Sequence, residues 1–370
     1  MHKKIKITGY YGMNNYGDDL FSLLSYKAIN EKLVSAQCEL VGPTIVNNGS
    51  GDELKLNRLS KQYSNFNLTG KITRLTHYMH ATVHADYFMF CGGSLYSSPN
   101  RSVKDIMYLM NCNRYKFHAL GVSVGPFDTL AAEKRAIEIL RNYEYIALRD
   151  QKSFDRVESF NIDAKVVLAG DLAGLGLEYF DTNEKIVKSG RSKNIGFSPC
   201  NLNDLEKSKS YIDNFVSNMK YLSTHLDFEV SIICLNQNSS NGDVGLCKLT
   251  EKLLKEIGVN CKIIYYLEIG VENTWKLISS LDFFVSVRLH GAITAYLVET
   301  PFFLYEYHEK CSEFLNYIGD ITHDYILDKV FLAQKITDGF NENKKVMNTI
   351  EFYKNSLMNI SENPLVCREV

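Results

Sequence analysis

Residues 283–295 read FFVSVRLHGAITA, and this stretch decides the fold. The run from Phe283 to Val287 is apolar and β-branched, stops at an arginine, and gives way after Gly291 to alanine-rich sequence. The pattern predicts a buried strand, a short loop and a helix, which is one unit of an α/β protein with a parallel sheet. In such sheets ligands bind at the carboxyl ends of the strands, so the loop after Val287 is a candidate site.

This loop carries three residues suited to an anionic ligand. Arg288 offers a planar set of donors that matches a carboxylate or a phosphate. His290 can exchange a proton near neutral pH, and Gly291 lets a ligand approach the free N–H groups at the start of the helix. The residues indicate an anion site with a proton-transfer group. The alternative is a surface arginine and a core histidine that happen to end a strand.

Composition limits the possible classes of protein. The chain has 370 residues, enough for two ordinary domains, and its net charge of −2 gives no reason to expect nucleic-acid binding. Its nine cysteines are scattered without CxxC pairs, which favours free thiols in a reducing compartment. The apolar run near Met1 is too short for a signal peptide, and no stretch of about 18 apolar residues is present. We therefore expect a cytoplasmic protein without a membrane span.

Strands and helices alternate along the chain. The predicted strands are 4–9, 38–41, 87–91, 118–124, 145–148, 165–168, 194–197, 228–234, 262–266, 283–287 and 302–305. The predicted helices are 20–33, 72–84, 103–112, 130–142, 153–160, 210–225, 244–257, 272–280 and 341–358. Strands that alternate with helices indicate parallel sheets with helical crossovers.

The alternation is interrupted once, by the polar and charged segment 181–193, which we interpret as a linker. It predicts an α/β protein of two Rossmann-type domains, residues 1–185 and 186–340, facing a central cleft. Residues 341–370 would form a helix that packs back across the first domain. The polar segment 47–68 is interpreted as a long loop or lid, because loops of this length are usually functional or disordered.

Glycine-rich loops follow two strands of the first domain. Residues 12–19 join a strand to a helix that Asp18 or Asp19 could cap, but lack the lysine of a P-loop and the spacing of a dinucleotide fingerprint. Gly92, Gly93 and Ser94 follow another strand. Both loops could contact a ligand or be simple tight turns.

Three further positions have a functional and a structural reading. Arg149 with Asp150 could bind an anion and cap a helix, or form a salt-bridged pair. Asp171 could be a base or bind a hydroxyl, or belong to an ordinary turn, and Lys310 could bind an anion or be solvated. His77, His80 and His84 would share one face of a helix, but no carboxylate or cysteine joins them there, so we expect no metal site.

Taken in order, these motifs resemble the polysaccharide pyruvyl transferases. The resemblance rests on residues 12–18 (GMNNYGD), 92–94 (GGS), 119–126 (ALGVSVGP), 148–153 (LRDQKS), 170–173 (GDLA) and 286–291 (SVRLHG), with Tyr305 and Lys310 beyond. It spans nearly the whole chain. Ser94 stands where a third glycine is common, so the shape of that loop is open.

The resemblance implies a GT-B-like fold and transfer of an enolpyruvyl-derived unit from phosphoenolpyruvate to a sugar, giving a pyruvate ketal and phosphate. Phosphoenolpyruvate is then the donor substrate, and no cofactor or metal is expected. The residues expected to bind it are Arg149, Arg288, Leu289, His290 and Lys310. Two arginines and a lysine suit its carboxylate and phosphate.

The resemblance and the chemistry together suggest roles. His290 is the expected proton donor to C3 of the donor, and Asp18 or Asp171 the expected base for the sugar hydroxyl. The residues expected to contact the acceptor are Asn15, Gly17, Asp18, Gly93 and Ser94. A lipid-linked acceptor would draw the protein to the inner membrane face. The sequence identifies neither the acceptor sugar nor the oligomeric state.

Two other functions stay open. The same architecture serves glycosyltransferases that use a nucleotide sugar, since fold alone does not decide function. A relative that binds a glycan or an anion without catalysis is the third reading, although the titratable His290 beside two arginines argues against it.

Overall fold

The computed structural model describes residues 3–33, 36–45, 62–83, 85–94, 96, 114–180, 192–320, 331–341 and 348–367. Within these residues the chain forms two parallel sheets. The strands are β1 (Lys3–Thr8), β2 (Ala36–Leu40), β3 (Tyr87–Cys91), β4 (Lys116–Val122), β5 (Tyr143–Leu148), β6 (Lys165–Leu168), β7 (Lys193–Ser198), β8 (Phe228–Cys234), β9 (Cys261–Tyr265), β10 (Phe283–Ser286) and β11 (Phe302–Leu304).

Helices connect the strands. They are α1 (Tyr16–Lys32), α2 (Leu68–Val83), α3 (Leu130–Leu140), α4 (Gln151–Glu158), α5 (Gly176–Tyr179), α6 (Leu205–Leu222), α7 (Val244–Glu256), α8 (Tyr266–Ile269), α9 (Val271–Ser279), α10 (Leu289–Leu297), α11 (Glu309–Tyr317), α12 (Phe331–Asn341) and α13 (Thr349–Ser361). A 3₁₀ helix spans Leu172–Leu175. None of the helices within the described ranges is long and apolar enough to cross a membrane.

The two sheets define two α/β domains, as predicted. The first sheet has the order β2-β1-β3-β4-β5-β6 and the second the order β11-β10-β7-β8-β9, with every pairing parallel. Their central strands are buried along their whole length, as β3 and β10 are, because helices cover both faces. The predicted boundary at residue 185 lies outside the described residues, and the domain limits stay predictions.

Helix α1 lies between the two domains and is mostly buried. Eleven of its residues are buried, among them Leu20, Phe21 and Leu24. These three side chains belong to one apolar core that also contains five buried residues of the second domain: Leu235, Tyr266, Trp275, Leu289 and Ile293. The core of the first domain therefore continues into the second through α1.

Helix α13 returns to the first domain at the ends of its strands. Asn359 Nδ2 donates to Gly170 O at 2.9 Å, and the Tyr145 hydroxyl donates to Met358 O at 3.1 Å. The helix begins at Thr349, capped by the Asn348 side chain, so the predicted start near residue 341 was wrong.

The predicted cap of α1 was also wrong, and two helices after β11 were missed. Helix α1 is capped by Asn15, whose side chain accepts from Gly17 N, and neither Asp18 nor Asp19 is the cap. Helices α11 and α12 were not predicted from the sequence. The predicted helix 103–112, most of the predicted lid 47–68 and residues 181–191 of the predicted linker lie outside the described residues.

Candidate active site

The loops with candidate residues meet where strand order reverses in each sheet. In the first sheet the reversal lies between β1 and β3, which are followed by the two glycine-rich loops. In the second it lies between β7 and β10, and Arg288 and His290 follow β10. Such reversals open a crevice at the carboxyl ends of the strands, where ligands bind.

A cavity of about 170 Å³ lies at this crevice. Its wall contains ten of the residues singled out from the sequence: Asn15, Gly17, Asp18, Gly93, Ser94, Arg149, Arg288, Leu289, His290 and Lys310. Tyr16, Leu235 and Tyr307 complete it. We call this the donor cavity because the sequence predicts that phosphoenolpyruvate binds these residues. Asp171 does not line it but lies behind Arg149 and His290.

The loop before α1 is fixed to the second domain by hydrogen bonds. Tyr16 N donates to Leu235 O at 2.9 Å, and Gln237 N donates to Asn14 O at 2.8 Å. Asn238 Nδ2 donates to Met13 O at 2.9 Å. This loop therefore belongs to both walls of the cleft, which places Asn15 and Asp18 opposite the β10 loop.

Arg288 is held by a carboxylate that sequence reasoning missed. Asp243, fully buried just before α7, accepts from Arg288 Nε at 2.8 Å and from Nη2 at 2.7 Å. Two parallel bonds fix the plane of a guanidinium. The Nη1 group makes no hydrogen bond among the described residues, and 18% of the side chain is exposed, so Arg288 can present donors to the cavity.

Arg149 is fixed in a similar way at the end of β5. Its Nε donates to Ser123 Oγ at 2.6 Å, and its Nη1 donates to Asp171 Oδ2 at 3.2 Å. Burial raises the pKa of Asp171, which the adjacent guanidinium partly offsets. The structure therefore pairs Arg149 with Asp171 and not with its neighbour Asp150, whose carboxylate caps α4.

Lys310 differs from the two arginines because it has no carboxylate within ion-pair distance among the described residues. It lies in the first turn of α11. Burial, followed by the charge of Arg149, lowers its pKa. A buried cation beside two others at a helix N-terminus favours an anionic ligand.

His290 packs its ring closely against the start of α1. Its ring meets Phe21 edge-on, with centroids 4.7 Å apart, and its Nε2 lies 3.9 Å from Asp171 Oδ2. A Cβ atom on Gly17 would lie 2.1 Å from His290 Nδ1, so only glycine fits there. Burial, followed by the charges of Arg149, Lys310 and Arg288, holds the pKa of His290 well below its ordinary value.

The two acidic residues in the first turn of α1 have pKa values shifted in the opposite direction. Burial, followed by the charge of Asp19, raises the pKa of Asp18 to about 7. Burial raises the pKa of Asp19 to about 6, although Gly12 N and the Tyr266 hydroxyl donate to it. Asp18 lines the cavity and Asp19 points to Tyr266, so Asp18 is the carboxyl able to exchange a proton with a ligand.

The arrangement suits a small ligand with more than one negative charge. Three cations from different elements surround one titratable carboxyl and a neutral imidazole. Sequence reasoning missed Asp243 and the position of Ser123, because the partner of an arginine cannot be read from a single chain position. Among the described residues no group of three histidine, cysteine or acidic side chains could hold a metal ion.

Comparison with protein families gives one match. The family model described as polysaccharide pyruvyl transferase matches residues 15–309. This range holds every candidate residue but Lys310, its next neighbour. No curated protein matches the chain.

Solved structures share the fold at low identity. The UDP-GlcNAc 2-epimerase from Methanocaldococcus jannaschii has 12% identity and a TM-score of 0.59, covering 96% of this chain and 97% of its own. The UDP-GlcNAc 2-epimerase from Neisseria meningitidis, bound to UDP-GlcNAc, has 12% identity and a TM-score of 0.53, covering 98% and 100%. A glycosyltransferase from Rickettsia africae has 12% identity and a TM-score of 0.52, covering 100% and 96%. At this identity the likeness shows the GT-B-like fold alone.

Proposed function

The chain belongs to the polysaccharide pyruvyl transferase family, and from that premise we propose that it moves the enolpyruvyl-derived unit of phosphoenolpyruvate onto a sugar of a surface polysaccharide or its precursor. The products are a pyruvate ketal and phosphate. The observation that supports this donor is the convergence of Arg149, Arg288 and Lys310 on one small cavity. In phosphoenolpyruvate the carboxylate and the phosphate are both attached to C2, so binding it requires several fixed cations. The two arginines and the lysine supply these charges without a separate cofactor. The cysteine usage favours the cytoplasm as its location.

The proposed reaction begins with a proton. His290 gives its Nε2 proton to C3 of the donor, and positive charge builds at C2. A sugar hydroxyl attacks C2 and loses its proton to Asp18 or Asp171. The C2–O bond to phosphate breaks with its electron pair, and phosphate leaves against Arg149, Arg288 and Lys310. A second hydroxyl then adds to C2, and its proton leaves with the phosphate.

His290 must be protonated for this step, and the donor itself supplies the means. In the free protein burial, followed by the charges of the three cations, lowers the pKa of His290 and keeps the histidine neutral. Phosphoenolpyruvate neutralises those cations and brings negative charge beside the ring, which raises the pKa again. The Nε2 atom has no hydrogen-bond partner among the described residues and is free to take up this proton.

We therefore expect the donor to bind together with a proton. At about pH 8 the donor phosphate is already ionised, His290 is neutral and most Asp18 carboxyls are charged, because the Asp18 pKa is about 7. Negative charge from the donor raises the pKa of both groups, so protons are taken up and not released. Titration calorimetry in buffers of different ionisation enthalpy measures this uptake. Binding without buffer dependence would contradict the proposed proton donor.

The fit between Gly17 and His290 gives a second expectation. Gly17→Ala places a methyl group where the ring lies, so the ring must move, and a shift of about 1 Å at a reacting group costs on the order of 10² in rate. We expect turnover to fall by about that factor while the donor still binds. Gly245→Ala is the matched control, because Gly245 is also the second residue of its helix and an added Cβ would meet nothing within 4 Å. Equal loss in both variants would assign the effect to the helices instead.

The test of the function is direct titration of phosphoenolpyruvate into the full chain, with UDP-N-acetylglucosamine as the competing ligand. Saturable binding of phosphoenolpyruvate alone supports the proposal. Binding of the nucleotide sugar alone would replace it with the glycosyltransferase reading.

A further inference from the structure

A second and larger cavity lies next to the donor cavity. Its volume is about 620 Å³, and we call it the outer cavity. It lies over the carboxyl ends of β5 and β6 and is closed from the other side by α10, α11 and α13. Its wall comprises Ser123, Arg149, Asp150, Gln151, Lys152, Leu168, Ala169, Gly170, Asp171, Leu289, Ile293, Lys310, Glu313, Phe314, Asn316, Tyr317, Phe352 and Asn355.

The two cavities share a wall. Arg149, Leu289 and Lys310 line both of them. Asp171 lines the outer cavity. Its Oδ2 atom accepts a hydrogen bond from Arg149 Nη1 and lies 3.9 Å from His290 Nε2. A molecule in the outer cavity would therefore reach the residues around the donor from the side opposite the Gly17 loop.

Charge distinguishes the two cavities. The donor cavity has three cations and one carboxyl, Asp18. The wall of the outer cavity has as many carboxylates as cations, and four of these six groups form two pairs: Arg149 with Asp171 at 3.2 Å and Lys152 with Glu313 at 2.9 Å. Such balance gives little attraction for a diphosphate and suits an uncharged ligand.

The outer cavity combines an apolar floor with a polar rim. The floor contains the buried side chains of Ile293, Phe314 and Phe352. At the rim Tyr317 is 52% exposed, and its ring meets Phe352 edge-on with centroids 5.7 Å apart. Asn355 Nδ2 donates to the Tyr317 hydroxyl at 2.8 Å and fixes the ring. A pyranose has an apolar C–H face and a ring of hydroxyls, which match an aromatic surface bordered by amides and carboxylates.

We propose that the outer cavity binds the acceptor as an uncharged pyranoside, with its apolar face toward Tyr317 and Phe352 and its reacting hydroxyls toward Asp171. This inference rests on the proposed function, because it needs a donor in the adjoining cavity. The proposed position of the acceptor differs from the one predicted from the sequence, because the predicted contacts Asn15, Gly17, Gly93 and Ser94 line the donor cavity together with the cations.

The test uses p-nitrophenyl glycosides of glucose, galactose, mannose and N-acetylglucosamine as probes of the full chain, with saturation-transfer NMR and titration at millimolar concentrations. Two variants change the rim. Tyr317→Ala removes the aromatic surface, and Asn316→Trp narrows the entrance from an exposed position. Tyr221→Ala is the control, because Tyr221 is a tyrosine of similar exposure, 49%, on α6 in the second domain.

We expect at least one glycoside to bind the wild type and the Tyr221→Ala variant equally. Its affinity should fall about tenfold in Tyr317→Ala, the loss that one aromatic contact of about 1.4 kcal/mol produces, and more in Asn316→Trp. The affinity for phosphoenolpyruvate should stay within about twofold of wild type in both variants.

Failures of the two proposals give different results. Absence of phosphoenolpyruvate binding to the wild type would overturn the proposed function, whatever the glycosides do. If phosphoenolpyruvate binds but no glycoside does, or if the glycosides bind the rim variants as well as the wild type, the outer cavity is not the acceptor site. Binding of UDP in the outer cavity, displaced by Asn316→Trp, would also overturn this inference.

Discussion

Replacing His290 with asparagine is expected to lower turnover by about 10²- to 10⁴-fold, the usual contribution of a positioned proton donor. The histidine is neutral in the free protein because it is buried among three cations. The donor raises the pKa of His290 as it binds, so loss of the ring also removes a charge that forms in the complex, and phosphoenolpyruvate should bind more weakly but still measurably, with less proton uptake. Phosphate release, with an acceptor found in the glycoside screen, measures the rate, and calorimetry measures the affinity.

The control for this substitution is His225→Asn. His225 is exposed just after α6, contacts Tyr221 and precedes β8, whereas the donor cavity lies at the carboxyl ends of the strands. It should leave rate and affinity unchanged. Turnover retained in His290→Asn would exclude His290 as the proton donor and leave Asp18, with a pKa of about 7, as the acid to test next.

Loss of Arg288 is expected to weaken the binding of phosphoenolpyruvate by about 100-fold or more, because a charged pair of hydrogen bonds contributes about 1.5–3 kcal/mol each. Arg288→Ala alone would confuse this measurement. It leaves Asp243, which is fully buried, without its partner, and an uncompensated buried charge costs about 3–5 kcal/mol of folding free energy.

The double variant Arg288→Gln with Asp243→Asn avoids that problem, because both charges are removed and the amides can still bond. Its free energy of unfolding, measured with urea, should lie nearer to wild type than that of Arg288→Ala. Asp243→Asn alone keeps the charge of Arg288 but holds its guanidinium less firmly. Its affinity for phosphoenolpyruvate should therefore fall less than that of the double variant. Affinity within about threefold of wild type in the double variant would show that Arg288 does not bind the donor.

The strands could be predicted to within one or two residues in most places. Strands 87–91, 165–168 and 228–234 agree to the residue, because a strand of a parallel sheet is a largely apolar run that ends abruptly at a turn. The confirmed family and fold came from motifs that follow such strands. Loops at the carboxyl ends of parallel strands converge, so residues far apart in sequence were placed together before any contact was known.

The starts of helices were harder to predict. Helix α1 begins four residues before the predicted start, in a turn that contains Gly17, Asp18 and Asp19, all poor helix formers. Its first residue, Tyr16, is held by Leu235 of the second domain. A contact over more than 200 residues decides the local structure here, and no local pattern contains it.

The partners of the charged residues were also out of reach. Asp243 precedes α7 and resembles any helix-capping aspartate, yet its side chain makes no cap bond and holds Arg288 instead. The outer cavity is built from α11 and α13, of which one was not predicted and the other was predicted to start too early. The residues of the donor cavity can therefore be predicted from sequence motifs, whereas the outer cavity depends on how the helices pack.

The burial of α1 has a consequence for the engineering of this chain. Each half has a core of its own, but Leu20, Phe21 and Leu24 also share one apolar core with Trp275 and Leu289, so the faces that meet along α1 cover each other. Either half produced alone is expected to expose this apolar face to solvent. Exchanging one half between relatives would therefore require the other half to be exchanged or adapted with it.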